Sequence, residues 1–149
     1  MQDRYAYYPG CLASLSAKEL DTSTRAVAAK LEIELVEMES TTCCGAGDIH
    51  EAKPDYYLHL NARILSQAEA LGCDTLLTIC NVCTLNLRQA NKRLQERPEE
   101  LERITRTIES KADLRISTWC IFDNTALGAA TADALTVRSL LLDSERAIR

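Results

Sequence analysis

Short apolar runs alternate with longer amphipathic segments along most of this chain. The runs are rich in Tyr, Ile, Leu and Val and predict three β-strands, over residues 4–8, 33–38 and 74–79. The amphipathic segments have apolar residues near helical spacing and predict helices over about 14–31, 54–71, 81–95 and 98–111. The order β-α-β-α-β-α therefore predicts an α/β fold with a mostly parallel sheet and flanking helices.

Capping and breaker residues mark the ends of these helices. Ser14 or Ser16 is expected to cap the first helix, because a hydroxyl there can accept from the first free N–H groups. Pro54 occupies a favourable first position in the second helix. Gly72 is expected to end that helix, since glycine adopts the left-handed conformation of a helix terminus at little cost.

The hydrophobic pattern is weaker after Asp113. It predicts a short strand over residues 114–117 and an Ala/Leu-rich helix over residues 126–142. We find no internal repeat and no low-complexity linker in the sequence.

Length and composition indicate one globular domain. The chain has 149 residues, of which 46% are hydrophobic and 26% charged, so it can bury a real core. A net charge of -5 argues against nucleic-acid binding, and no apolar stretch is long enough to span a bilayer directly. The amino terminus lacks the layout of a secretory signal, so we expect a cytoplasmic location, where clustered cysteines more often bind metal than form disulfides.

Five of the seven cysteines come directly after the predicted strands. They are Cys11, the adjacent pair Cys43 and Cys44, and the pair Cys80 and Cys83. Because the carboxyl ends of parallel strands meet at one edge of a sheet, we expect the cysteine loops and their five sulfurs to converge at this edge. This arrangement predicts a metal or iron–sulfur site.

Several chemistries are open to these cysteines. Cys80 and Cys83 alone fit either a redox-active pair or half of a zinc site. Cys43 and Cys44 are either two packed thiols, a strained disulfide, or two ligands whose unusual backbone is permitted by the glycines that follow. Structural zinc and a cubane cluster each use four ligands, whereas five thiolates fit an opened, noncubane cluster better. The ligand count favours iron–sulfur over zinc.

Three sequence motifs closely resemble those of the cysteine-rich CCG module: Tyr8-Pro9-Gly10-Cys11, Cys43-Cys44-Gly45 and Cys80-Asn81-Val82-Cys83. That module occurs in the B-subunit of heterodisulfide reductases and in their bacterial relatives. It also occurs in certain succinate:quinone reductase subunits and in iron–sulfur subunits of lactate and glycolate oxidation systems. The resemblance covers residues 3–111, as a single module where heterodisulfide reductase subunits usually carry two. Residues 112–149 are then a divergent or truncated C-terminal tail.

The resemblance implies a function and a set of ligands. It assigns a noncubane [4Fe–4S] cluster to five ligands: Cys11, Cys43, Cys44, Cys80 and Cys83. It implies an oxidoreductase subunit that reduces a disulfide-type substrate, or else an electron-transfer subunit of the quinone or hydroxyacid systems. Electrons would come from a partner subunit with cubane clusters, and a second CCG module on another chain or a homodimer would complete the site. Such a complex would be cytoplasmic or lie at the inner face of a membrane through a partner. A zinc-stabilised interaction module is the alternative of another class.

Other residues carry weaker signals. His50 follows the second cysteine group and is a weak candidate for proton donation, the alternative being an exposed loop histidine. Cys73 precedes the third strand at the opposite edge of the sheet and is expected to be a small buried hydrophobe. Cys120 is expected to be a packing residue or a free thiol.

Overall fold

A computed structural model of the chain describes residues 3–110 and 112–120. Its elements follow in the order β1 (Arg4–Tyr8), α1 (Gly10–Leu15), α2 (Lys18–Lys30), β2 (Glu34–Glu37), α3 (Asp48–Ala52), α4 (Pro54–Ala70), β3 (Thr75–Thr78), α5 (Asn81–Glu96), α6 (Pro98–Thr107) and β4 (Ser117–Cys120). The four strands form one all-parallel sheet in the order β2-β1-β3-β4, which confirms the predicted α/β fold class.

The two central strands, β1 and β3, are buried on both faces, as parallel strands covered by helices usually are. Ala6 and Tyr8 face a core that is completed by apolar residues of α4, α5 and α6. Tyr7 and Leu77 face the other side, where Ala13 of α1 and neighbouring residues cover them. The sheet therefore lies between two helical layers, and its carboxyl edge stays open to the loops that follow the strands.

The sheet register brings the strand ends level with one another. Tyr7 pairs with Glu37 on one side and with Leu77 on the other. Because β1 therefore ends beside both β2 and β3, the loops after these three strands begin at the same edge.

The first helical segment differs from the prediction. The sequence predicts one helix capped by Ser14 or Ser16, but the structure has two helices, and the second starts after Ala17 without a side-chain cap. The hydroxyls of Ser14 and Ser16 donate instead to carbonyls four residues earlier in the chain. A serine that bonds backward in this way satisfies a carbonyl and cannot serve as an N-cap.

The other predicted boundaries lie close to the observed ones. Pro54 begins α4 as expected, and Gly72 has the positive φ of 69° expected after a helix end. The short helix α3 stands directly after the predicted cysteine loop and was not expected. Helix α6 ends at Thr107 rather than near residue 111.

The C-terminal part is described only to residue 120. The strand expected over 114–117 lies three residues further on, as β4, and pairs with β3 along its whole length. Leu114 has a positive φ of 55°, so the chain is not extended there. Residues 112–120 thus complete the sheet, while the helix expected over 126–142 lies outside the described residues.

Candidate functional site

The cysteine loops meet at the point where the strand order reverses. The chain runs from β1 to β2 on one side and then crosses to β3 on the other side of β1. A reversal of this kind separates the loops after the two central strands and opens a crevice at their carboxyl ends, where α/β proteins bind ligands. The loops after β1, β2 and β3 carry all five of the predicted ligand residues.

Each cysteine is held by a different local feature. Cys11 lies in the first turn of α1, and Cys43 and Cys44 lie between β2 and α3. Cys80 is the N-cap of α5, and its sulfur accepts a hydrogen bond from the backbone N–H of Cys83 at 3.4 Å. The Cys80-to-Cys83 spacing therefore places both side chains at the same helix end, as the sequence predicts.

The structure brings the sulfurs together in two close pairs. The Sγ atoms of Cys11 and Cys43 lie 3.8 Å apart, and those of Cys44 and Cys83 lie 3.4 Å apart. Within residues 3–110 and 112–120, no three His, Cys, Asp or Glu side chains are already gathered closely enough to hold a metal ion. Ligation by all five cysteines therefore stays a prediction.

The adjacent cysteines differ in exposure, and the glycine after them shapes their loop. Gly45 has a φ of 76°, and its backbone N–H donates to the Cys43 sulfur at 3.4 Å. A Cβ at this position would lie only 3.0 Å from Leu60, so the loop packs tightly against α4. In this loop Cys43 is exposed, while Cys44 is 1% exposed.

The exposed pair borders a small cavity. A cavity of about 280 Å³ is lined by both exposed cysteines, Cys11 and Cys43, together with Tyr8, Ser14 and Leu15 among others. The other close pair, Cys44 and Cys83, lies in the core beneath them. The site therefore has an interior side formed by two buried sulfurs and an accessible side formed by two exposed ones.

Hydrogen bonds decide which sulfur of the buried pair carries negative charge. The pKa of Cys44 is lowered to about 6, because the Cys83 thiol hydrogen-bonds to it and N–H groups of Ala46 and Asn86 favour its thiolate. The pKa of Cys83 is raised, since its bonds to Cys44 and Cys80 and its burial favour the protonated form. Cys44 is thus the thiolate of this pair.

Burial and hydrogen bonding also affect the other side chains at the edge. Burial raises the pKa of Cys11, and its hydrogen bond with Cys43 acts in the same direction. Burial and the neighbouring cysteines raise the pKa of Tyr8, whose hydroxyl donates to the Thr42 carbonyl at 2.8 Å. Tyr8 thereby ties the end of β1 to the loop that carries the cysteine pair.

A buried polar scaffold behind Cys44 was missed by the sequence analysis. The Asn86 side-chain amide donates to the Cys44 sulfur at 3.7 Å, and Asn61 donates to the Cys44 carbonyl at 2.8 Å. The Tyr57 hydroxyl donates to the Asn86 carbonyl at 2.7 Å. A signal for Asn86 does exist in the sequence, because it follows Cys83 by one helical turn and so shares its face of α5.

The donor set fits an iron–sulfur cluster. Such clusters are held by Cys thiolates, and N–H groups directed at the sulfurs tune their potentials. Here cysteines from the three loops lie in close pairs, Cys11 with Cys43 and Cys44 with Cys83. Backbone or amide N–H groups already donate to the sulfurs of Cys43, Cys44 and Cys80. These are contacts that thiolate ligands need in a partly buried site.

Other cysteines and the histidine have separate environments. Cys73 is buried at the start of β3, at the opposite edge of the sheet, as predicted. Cys120 ends β4 and is half-buried. His50 lies in α3 rather than in an exposed loop, and its ring stacks on Tyr57 with centroids 4.0 Å apart. Its role in proton donation stays a prediction.

Comparison with known proteins identifies the family. The sequence model of the CCG cysteine-rich domain matches residues 5–88, which is more than half of the chain. This matched region contains β1 without its first residue, β2, β3 and all five predicted ligand residues.

Three curated proteins are similar in sequence. The 8-methylmenaquinol:fumarate reductase membrane anchor subunit of Wolinella succinogenes is 39% identical over 94 residues, covering 63% of this chain and 33% of that protein. The heterodisulfide reductase B-subunit-like protein of Archaeoglobus profundus is 28% identical over 132 residues, and the match covers 83% of this chain and 44% of that protein. The B-subunit of the ferredoxin/F(420)H(2)-dependent CoB-CoM heterodisulfide reductase of Methanosarcina acetivorans is 28% identical over 97 residues. That match covers 64% of this chain and 32% of that protein. The chain thus spans less than half the length of these relatives.

A solved structure shares the fold. A hypothetical protein from Helicobacter pylori superposes with a TM-score of 0.65 at 19% identity, over 78% of this chain and 24% of that one. At this level of identity the likeness concerns the fold alone. The match to the family model and the curated relatives carry the conclusion: this chain belongs to the CCG cysteine-rich domain family and is homologous to heterodisulfide reductase B-subunits and fumarate reductase anchor subunits.

Proposed function

We propose that this chain is the iron–sulfur subunit of a heterodisulfide reductase-like oxidoreductase complex. In this proposal five thiolates hold a noncubane [4Fe–4S] cluster: Cys11, Cys43, Cys44, Cys80 and Cys83. The substrate is a disulfide, which takes up two electrons and two protons and leaves as two thiols. The bound cluster would supply the single-electron steps that this reduction needs.

One observation supports the proposal: the loops at the strand-order reversal bring cysteine sulfurs into two close pairs, a buried one, Cys44 with Cys83, and an exposed one, Cys11 with Cys43. Cys44 and Cys83 lie in the core, so they are suited to anchoring a cofactor away from water. Cys11 and Cys43 line the cavity of about 280 Å³, where a small disulfide has access from solvent. An interior anchor and an open face are what a substrate-reducing centre requires, whereas a structural metal site is closed.

The protons for the two product thiols need a donor near the cavity. His50 is the candidate, because it lies in the short helix that follows the cysteine pair. Its backbone N–H donates to the Gly45 carbonyl at 3.0 Å, and its ring is held flat against Tyr57. These contacts orient the imidazole beside the cysteine loop.

Electrons must come from another protein chain. The described residues contain no second cysteine set of the kind that holds a cubane cluster, so the proposed donor is a partner subunit with such clusters. Exposed apolar side chains next to the cysteines support a docking surface: Leu12 and Leu15 on α1, and Val82 and Leu85 on α5. A second CCG module on another chain or a second copy of this chain would also fit there.

The proposed location follows from the partners. No helix in the described part of the chain is both long and apolar enough to cross a bilayer. Since the relative from Wolinella succinogenes is named as a membrane anchor subunit, the proposed complex is cytoplasmic or sits at the inner membrane face through a partner.

A second function has its own support. The 39% identity to the fumarate reductase anchor subunit favours an electron-transfer role in a quinone-linked complex. A role in a lactate or glycolate oxidation complex is a further form of this proposal and rests on the resemblance of the cysteine motifs alone. In this case the five cysteines hold the same type of cluster but pass electrons to or from a quinone or hydroxyacid centre.

Anaerobic purification with iron, acid-labile sulfide and zinc analysis tests the cofactor. We expect about four irons and a matching amount of sulfide for each chain, with a paramagnetic signal after oxidation or reduction. About one equivalent of zinc without sulfide would overturn the iron–sulfur assignment and favour the zinc-stabilised interaction module instead.

Identification of the subunits that purify with the chain tests the reaction. Cubane iron–sulfur subunits together with turnover of a disulfide substrate support the heterodisulfide assignment. Co-purification with a flavoprotein that reduces fumarate or oxidises succinate, lactate or glycolate, and no disulfide turnover, supports the second function.

A further inference from the structure

We propose that Asn86 is a positioning residue for Cys44, and that its side-chain amide raises the reduction potential of the cofactor bound at the cysteine site. The effect of Asn86 on the reduction potential rests on the proposed function. The positioning part concerns the protein alone and is tested separately below.

The geometry places an amide donor directly behind a buried sulfur. Asn86 lies on α5 one turn after Cys83 and is 3% exposed. Its Nδ2 donates to the Cys44 Sγ at 3.7 Å. A buried amide is costly unless it is hydrogen-bonded, and sulfur accepts strongly only when it is charged. Asn86 is therefore well matched to a Cys44 thiolate and poorly matched to a neutral packing thiol.

Neighbouring side chains hold this donor in place. The Tyr57 hydroxyl donates to the Asn86 carbonyl at 2.7 Å. Asn61 donates to the Cys44 carbonyl at 2.8 Å and to the Tyr57 carbonyl at 2.9 Å. Residues of α4 thus fix both the backbone that carries Cys44 and the backbone that carries Asn86. With both ends fixed, the amide–sulfur distance is set by the fold rather than by loop motion.

A fixed donor at a ligand sulfur has a defined electrochemical effect. Reduction adds negative charge that is shared with the ligand sulfurs, and an N–H directed at a sulfur stabilises that charge. The donor stabilises the reduced state of the cofactor more than the oxidised state, so the reduction potential rises. Loss of the donor must therefore make the cofactor harder to reduce.

The first experiment compares Asn86→Leu with wild type by potentiometric titration of the cluster signal. Leucine branches at the same atom as asparagine and has no hydrogen-bond donor. We expect full iron and sulfide content. The midpoint potential should fall by about 59 mV, which corresponds to about a tenfold change in the equilibrium constant for one-electron reduction of the cluster. The matched control is Asn91→Leu, also on α5, whose amide donates to the Ile116 carbonyl at 2.7 Å. Its potential should equal that of wild type, and an unchanged potential in Asn86→Leu with a full cluster would overturn the electrochemical part.

The second experiment needs no cofactor. A double-mutant cycle combines Asn86→Leu with Cys44→Ala in the reduced, metal-free protein and measures urea unfolding. We expect a coupling of about two- to tenfold in the unfolding equilibrium constant. Additive effects would show that Asn86 does not hold Cys44 and would overturn the positioning part. If wild type binds no iron while the coupling is present, the proposed function fails and the positioning role stands.

Discussion

Gly10 and Cys83 touch across the site, although they are far apart in the sequence. A Cβ on Gly10 would lie 3.2 Å from the Cys83 sulfur and 3.6 Å from the Cys80 Cβ, and the residue has a φ of 80°. The turn after β1 and the start of α5 can approach this closely only because residue 10 has no side chain. The glycine before Cys11 therefore sets the distance between the first and third cysteine loops.

Replacement of Gly10 by alanine should destabilise the fold more than the same change at Gly47. Both residues have a positive φ, but a Cβ at Gly47 would meet nothing within 4 Å. Gly47→Ala thus measures backbone strain alone, about 1 kcal/mol. Gly10→Ala adds a clash with Cys83, for which we expect a further cost of about 1–3 kcal/mol in urea unfolding. Equal costs would mean that the contact with Cys83 does not constrain the loop.

Single replacement of Cys43 or Cys44 by serine should remove the noncubane signature. Serine is a poor ligand for the iron of such clusters, while the sheet and its helices are held by a large apolar core of which Cys44 is one member. We expect lost iron and altered paramagnetic spectra with a far-UV circular dichroism spectrum close to that of wild type. Cys73→Ser is the control, because Cys73 lies at the opposite edge of the sheet. Unchanged iron and spectra in both ligand variants would show that the pair does not ligate, and lost iron in the control would mean that Cys73 contributes to the site.

Tyr57→Phe should cost stability in a pH-dependent way. The lost hydrogen bond to the buried Asn86 carbonyl is worth about 1–2 kcal/mol at neutral pH. Burial, with a smaller contribution from Cys44, raises the pKa of Tyr57 from 10.0 to about 12. The folded state therefore favours the neutral phenol. Its contribution to the free energy of unfolding is complete below pH 10 and is lost as the pH rises toward 12.

Thermal or urea unfolding at several alkaline pH values measures this effect. The difference between wild type and Tyr57→Phe should shrink as pH rises above 10, because ionisation then stabilises only the unfolded wild type. Tyr56→Phe is the matched control, since Tyr56 is an exposed neighbour on the same helix. A difference that stays constant with pH would contradict the raised pKa of Tyr57.

Glu100→Gln should weaken the packing of α6 against α5 at neutral pH. Arg93 on α5 donates two hydrogen bonds to this carboxylate, at 2.9 Å and 2.6 Å. This contact lowers the pKa of Glu100. The ionised carboxylate therefore stabilises the folded state at pH values above its ordinary pKa of 4.5, and this stabilisation is lost as the pH falls through the lowered pKa. Because Arg93 is partly exposed, we expect a cost of only about 1 kcal/mol, which disappears in acid.

The adjacent carboxylate supplies the control for this prediction. Glu99→Gln makes the same change of charge in the first turn of α6 at an exposed position. Its unfolding free energy should change by less than that of Glu100→Gln and should depend less on acid. Equal effects would mean that helix-end charge, rather than the pairing with Arg93, stabilises α6.

Local pattern was enough to predict most of the sheet. β1 has the predicted bounds, and β2 and β3 lie inside the predicted apolar runs. The central strands β1 and β3 are the clearest case, because a parallel strand buried on both faces consists mostly of apolar residues. The errors fall where side chains make unexpected local bonds. Ser14 and Ser16 bond backward instead of capping, and α3 is a five-residue helix with too little periodicity to be recognised.

The sequence by itself determined the fold class through the order of its strands and helices. Its cysteine motifs carried the resemblance to the family, and this resemblance implied the five candidate ligands. Only the tertiary structure decided how the site is built. It buries Cys44 and Cys83, exposes Cys11 and Cys43, and places Asn86 behind the Cys44 sulfur. The reason is physical: periodicity and spacing record which face of an element is apolar, whereas contacts between residues some 40 positions apart depend on how three loops and two helices pack against one another.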